Sequence, residues 1–146
     1  MGYTLKIGEY ASEFHDEDNT TWISQYAEDA QHDAAPAYGE PTDNTNARWP
    51  SYTSWHNFAR FVGLEDFFFN EEMGLIRKHP GCVPLARYHQ SSIENAMLNF
   101  KIKHPNAIPR MTDESEADCQ LARLTWLKYW VDWAMQNCER PVFYNS

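Results

Sequence analysis

Histidines and carboxylates crowd the first 33 residues of this chain. If the segment after Asn19 is helical, Glu28 and His32 fall four residues apart on one face, with Asp29 and Asp33 as a parallel pair beside them. His15, Asp16 and Asp18 precede that segment by a few positions. Carboxylates and imidazoles each offer a lone pair, so His15, Glu28 and His32 are the candidate ligands for a divalent cation and, through it, a metal-assisted hydrolysis. The set has neither the H-E-x-x-H spacing nor the Gly-containing loop of an EF-hand. Such pairs also occur as ordinary solvated helix surface.

A second constellation is cationic. Arg77, Lys78 and His79 precede Pro80-Gly81-Cys82, and Arg87 and His89 follow at the expected start of a helix. Exposed backbone N–H groups near a helix start, with Arg beside them, favour a phosphate or carboxylate. Tyr52, His56 and Arg60 recur at steps of four and would line one strip of another helix, able to stack on and hydrogen-bond a flat ligand. Together Arg77, His79, Arg87, His89, Tyr52, His56 and Arg60 form the candidate pocket for a small anionic, nucleotide-like ligand. Cys82 near His79 raises the question of a nucleophilic thiolate. Its spacing to Arg87 is one residue short of the C-x5-R loop of protein tyrosine phosphatases, and a structural thiol is the expectation.

Composition narrows the partners. The formal charge is −9, and residues 1–46 hold ten acids against one base, Lys6, whereas residues 47–146 hold eleven of each. An acidic field of this kind argues against direct nucleic-acid binding, because phosphate contacts need a basic surface. It favours a protein partner met through the N-terminal third. Three cysteines without a C-x-x-C pair suggest neither a disulfide framework nor a cysteine zinc site. No apolar run reaches the ~18 residues of a spanning helix, and no signal architecture opens the chain, so a cytoplasmic protein away from the membrane is expected.

Most of the chain that carries these side chains has helical spacing. At 146 residues and 15% aromatics, one domain (1–146) with a dense core is expected, divided into an acidic third (1–46) and a charge-balanced helical body (47–146). Thr4–Ile7 alternates and predicts a short strand ended by Gly8, followed by an acidic loop over 13–19. A first helix is predicted from a cap among Asn19, Thr20 and Thr21, with Trp22, Ile23, Tyr26, Ala27 and Ala30 on one face, ending at Pro36. Residues 36–50 are loop chemistry. A second helix runs from a Ser51 cap to Val62, with Gly63 as its stop. Residues 73–85 are read as a loop with room for a short hairpin. A third helix spans about 85–103, and a fourth starts near Thr112 or Asp113 and reaches Cys138, closed by Pro141. Leu121–Met135 is apolar on nearly every side and predicts a helix buried nearly all round. The expectation is a mainly α fold of about four helices around the C-terminal one, with a short β element near the N-terminus.

Arg48-Trp49-Pro50-Ser51-Tyr52, His79-Pro80-Gly81-Cys82-Val83-Pro84-Leu85 and Cys138-Glu139-Arg140-Pro141 resemble segments of small, functionally unassigned proteins of bacteria and their phages, over roughly residues 48–146. The resemblance implies an accessory or host-interaction role and brings no catalytic residues. No motif sets nucleophile, base and orienting group at a diagnostic spacing. The leading expectation is therefore a non-catalytic binding module, for a protein partner or a small anionic ligand. A small metal-assisted hydrolase is the first alternative and an acidic mimic of nucleic acid the second. A divalent metal is the one cofactor these residues suggest.

Overall fold

The computed structural model describes residues 1–18, 20–37 and 44–146. Among the described residues there are four helices, α1 (Tyr52–Phe61), α2 (Glu65–Phe69), α3 (Arg87–Lys103) and α4 (Glu116–Asn137). The same residues form five strands: β1 (Leu5–Glu17), β2 (Thr20–Ala27), β3 (Ala47–Arg48), β4 (Gly81–Pro84) and β5 (Pro141–Asn145). The strands form one antiparallel sheet in the order β2-β1-β5-β4, with β3 paired to the start of β1. The sheet curls into a half-barrel, so that β2 approaches β4 and β5. The fold is thus α/β, and the mainly α expectation is corrected.

The largest error lies in residues 20–27. Trp22, Ile23, Tyr26 and Ala27 fit a helical stripe, but Thr20-Thr21-Trp22-Ile23 are β-branched or aromatic residues that suit a pleated surface. They pair with β1 in continuous register from Tyr10↔Ala27 to Glu17↔Thr20. The predicted acidic loop is the far half of the same hairpin. Asn19, one of the predicted caps, and residues 38–43 of the predicted 36–50 loop lie outside the described residues.

Gly8 does not end β1. A Cβ there would meet the Glu28 carbonyl oxygen at 2.9 Å and Asn46 Nδ2 at 3.1 Å, so glycine permits the chains to close. Asn46, 1% exposed, occupies that junction. Its Nδ2 donates to the carbonyls of Ile7 (2.7 Å) and Glu28 (2.8 Å), and its Oδ1 accepts from the Ala30 N–H at 3.0 Å. One buried amide therefore satisfies three backbone groups where β1 meets the segment after β2.

The helical body follows its sequence closely. Ser51 Oγ accepts from the Ser54 N–H and caps α1, and Gly63 takes φ +75°, the left-handed stop. Ser115 caps α4 in the same way. The 73–85 loop contributes β4, which pairs with β5 rather than making a local hairpin. Ile7, Phe143 and Val83 align across β1, β5 and β4 and face the core. Against them sit Trp126, Leu127, Trp130 and Val131 of α4, all at 1% exposure or less. Trp55, Phe58 and Phe68 complete an aromatic cluster with Phe143. No described helix is long and apolar enough to cross a membrane.

Candidate functional site

Three of the candidate ligand residues, read from two separate constellations, come together at one edge of the sheet. α1 presents Tyr52 and His56 one turn apart, and the segment before β4 presents His79. Tyr3, just ahead of β1, lies among them: its ring packs edge-on to Tyr52 (4.7 Å) and His79 (5.0 Å), and its hydroxyl lies 3.3 Å from His56 Nε2. Burial and the neighbouring Tyr52 raise the Tyr3 phenol above its ordinary pKa. The His56 ring also stacks on Phe69 at 3.8 Å.

Asn145, fully buried at the end of β5, orders this cluster. Its Nδ2 donates to the carbonyls of Lys78 (3.0 Å) and Gly81 (3.4 Å), which leaves Oδ1 facing His79 Nδ1 at 2.7 Å. Nδ1 must then carry the proton, so in neutral His79 the lone pair sits on Nε2. The Tyr52 hydroxyl, 3.2 Å away, donates into it. The chain Asn145–His79–Tyr52 is an amide that orients an imidazole, which in turn holds a hydroxyl. His79 remains exposed. A ligand hydroxyl displacing that of Tyr52 would meet an oriented proton acceptor. Neither Tyr3 nor Asn145 carried a local sequence signal. They stand near opposite ends of the chain and meet only because β1 and β5 pair.

The remaining cations are placed elsewhere. Arg77 Nη1 donates to the Gly74 carbonyl at 3.3 Å, Arg87 is exposed in the first turn of α3, and Arg60 Nε lies 3.4 Å from Glu65 Oε2. Arg77, Arg87 and Arg60 make no hydrogen bond or ring stack with Tyr52, His56 or His79 among the described residues. His89 is 3% exposed, and its Nδ1 accepts from the Ala86 N–H at 2.8 Å, closing the first turn of α3. Burial, reinforced by the Arg77 charge, lowers its pKa. The Cys82 thiol is pushed up to about 11 by burial, the opposite of what a nucleophile needs.

His15, Glu28 and His32 do not converge. His15 stacks on Trp22 at 3.9 Å in the far half of the hairpin. Glu28 follows Ala27, which pairs with Tyr10, five residues back along β1, or roughly 16 Å of strand. His32 packs against Trp130 and Trp133 of α4, with Nδ1 3.4 Å from the Tyr129 hydroxyl. Among the described residues no group of three or more His, Cys, Asp or Glu could hold a metal ion. The helix that would have joined Glu28 to His32 is not formed.

The hairpin offers a different kind of site. Among the described residues, beyond Tyr10, whose N–H donates to the Arg140 carbonyl, β1 pairs only with β2, and β2 pairs only with β1. Among the same residues both faces of this ribbon are open. Phe14 and Ile23 form a cross-strand pair on one face, 74% and 51% exposed. The His15–Trp22 stack occupies the other, with Trp22 48% exposed. Glu13, whose carboxylate accepts from the Tyr26 hydroxyl at 3.2 Å, and Asp16 and Asp18 surround these side chains, and no base lies between Lys6 and Ala47 in the sequence. No family model matches the chain, and no curated protein or solved structure matches it.

Proposed function

We propose that the protein is a non-catalytic interaction module whose acidic β1–β2 hairpin docks onto a partner protein. One observation carries this: a two-stranded ribbon, open on both faces and both edges among the described residues, bears Phe14, Trp22 and Ile23 in the part of the chain that holds the whole net charge. Large apolar side chains grouped on an exposed ribbon mark an interaction surface, since an isolated hairpin is only marginally stable. The acids specify the partner as a basic surface with an apolar hollow. Charge steers the encounter and the rings supply the buried anchor. An accessory role of the sort implied by the resemblance of residues 48–146 fits such a module.

The test compares the intact protein with two variants, Phe14→Ser/Trp22→Ser/Ile23→Ser and Glu13→Gln/Asp16→Asn/Asp18→Asn. The apolar variant should lose the partner outright. The neutralised one should bind more slowly and lose most of its salt dependence. Equal binding by all three proteins would overturn the proposal.

A second reading is favoured by the Asn145–His79–Tyr52 chain: a small hydroxyl-bearing ligand held at His79 Nε2. The His79→Gln variant would abolish such binding and leave the hairpin's partner in place, whereas ligand binding unchanged in that variant would dismiss this reading.

A further inference from the structure

A cleft of about 550 Å³ separates α3 from the end of α1 and from α2, within the range of ligand sites in proteins. Its α3 wall carries Ser92, Asn95, Asn99 and Lys103 at i, i+3, i+7 and i+11, all on one helical face. Among the described residues none of these four side chains has a hydrogen-bond or ion-pair partner. Phe61 and Phe67 line the opposite wall, with Met73, 59% exposed, beyond them. The cleft is open to solvent along one side.

We propose that this cleft binds an extended peptide, independently of the hairpin. A carboxamide side chain offers a donor and an acceptor together, the complement of the N–H and C=O of a peptide unit. Four residues of helix advance about 6 Å. Two residues of extended chain advance about 6.6 Å. Asn95 and Asn99 therefore match alternate peptide units of a strand laid along α3. Ser92 to Lys103 spans about 16 Å of helix, the length of roughly five extended residues. A sugar or nucleobase ring is too short to use the whole row.

Charge sets the direction and composition of the peptide. Lys103 and His104 close one end of the cleft, with His104 stacked on Phe61 at 5.3 Å. Tyr88, Met73 and Phe67 lie toward the other end. In a chain of net charge −9, the lining holds Lys103 with no ion-pair partner among the described residues, while Arg60 is engaged by Glu65 and Asp66 is the one lining carboxylate. Tyr88 lies about 22 Å along α3 from Lys103, so the peptide carries an acidic residue over Lys103 and an apolar one six or seven positions away, over Tyr88 and Met73.

The experiment pans a random peptide library against the full-length protein, with Asn95→Ala/Asn99→Ala as the counter-selection. Synthetic labelled peptides are then titrated by fluorescence anisotropy. Both amides are exposed, so the variant should keep the melting temperature of the parent, which the same samples report. Enriched sequences should share the acidic–apolar spacing and bind the Asn variant at least tenfold more weakly. They should bind the Phe14→Ser/Trp22→Ser/Ile23→Ser hairpin variant unchanged. Peptides that bind the Asn variant equally well, or no enrichment over it, would overturn the proposal. So would adenosine or glucose shifting the Asn95 and Asn99 side-chain amide resonances while no peptide does.

Discussion

α4 and the β1–β2 hairpin are both rich in large rings and treat them in opposite ways. Trp126 and Trp130 on α4 are 1% and 0% exposed, while Trp22 and Phe14 on the hairpin are 48% and 74% exposed. α4 is packed against β1, β5, α1 and α3, so Trp126 and Trp130 replace water with protein, while Tyr129 and Trp133 stay half-buried. The hairpin has backbone pairing between its strands but little packing over its far half. The rings of α4 that meet the sheet hold the fold, whereas those of the hairpin, like Trp49 (53%) and Tyr88 (46%) of the body, stay in contact with water. The hairpin is set apart because its exposed rings stand on a ribbon with little packing over its far half, and that is the basis for treating it as the part that meets a partner.

The contrast can be broken at either end, and the largest effect belongs to α4. Trp130→Ala should cost about 3–5 kcal/mol, measured by urea unfolding, since the ring is fully buried. A loss near zero would mean that α4 is not the axis of the core. Asn46→Ala should cost about 2–3 kcal/mol, because it orphans three backbone groups at the hairpin's base. Hydrogen exchange should show Ile7 to Tyr10 opening before the helices. Gly63→Ala places a Cβ in a left-handed conformation and should cost about 1 kcal/mol, although nothing crowds that position. Trp22→Ser should change stability by less than about 1 kcal/mol. If it matched Trp130→Ala, the hairpin would be part of the core after all.

Two pH dependences sharpen the same division, because both lie in the body. The folded state holds His89 neutral by burial, with its pKa below the ordinary 6.5. The unfolded chain therefore takes up a proton first as pH falls. The stability this residue contributes is complete above about 6.5 and declines as the pH drops below it. His89→Phe should flatten that slope in melting curves recorded from pH 7.5 to 5. Asp118 accepts from the Ile108 N–H at 3.0 Å and from Arg110 Nε at 2.7 Å, which lowers its pKa below 3.8. Its contribution is present above that value and disappears as pH falls through the lowered one. Asp118→Asn should remove this acid limb, and hairpin variants should leave both limbs intact.

The helical body was legible because its signals are local. The Ser51 cap, the Gly63 stop and the all-round apolar run of Leu121–Met135 each lie within a few residues of the structure they specify. The sheet was not, because its signals are distant. β5 is five residues long and is defined by partners more than a hundred positions away in β1 and about sixty in β4. β2 presented two conflicting patterns, a helical spacing of apolar residues and the β propensity of Thr20-Thr21-Trp22-Ile23, and strand pairing decided between them. The Tyr–His cluster shows both limits. Tyr52 and His56 were visible as one helical strip, whereas their junction with His79, Tyr3 and Asn145 required the β1–β5–β4 register.

The most direct test of the scaffold-and-hairpin account places a photo-crosslinking amino acid at position 22 and, in a parallel sample, at position 98, where Leu98 is 62% exposed on α3. Both proteins are irradiated in cells that produce the protein. The account predicts one discrete crosslinked partner of basic character from position 22, absent from position 98 and lost when Phe14 and Ile23 are replaced by serine. Crosslinks of equal yield from both positions, or a position-22 adduct that survives loss of Phe14 and Ile23, would contradict it.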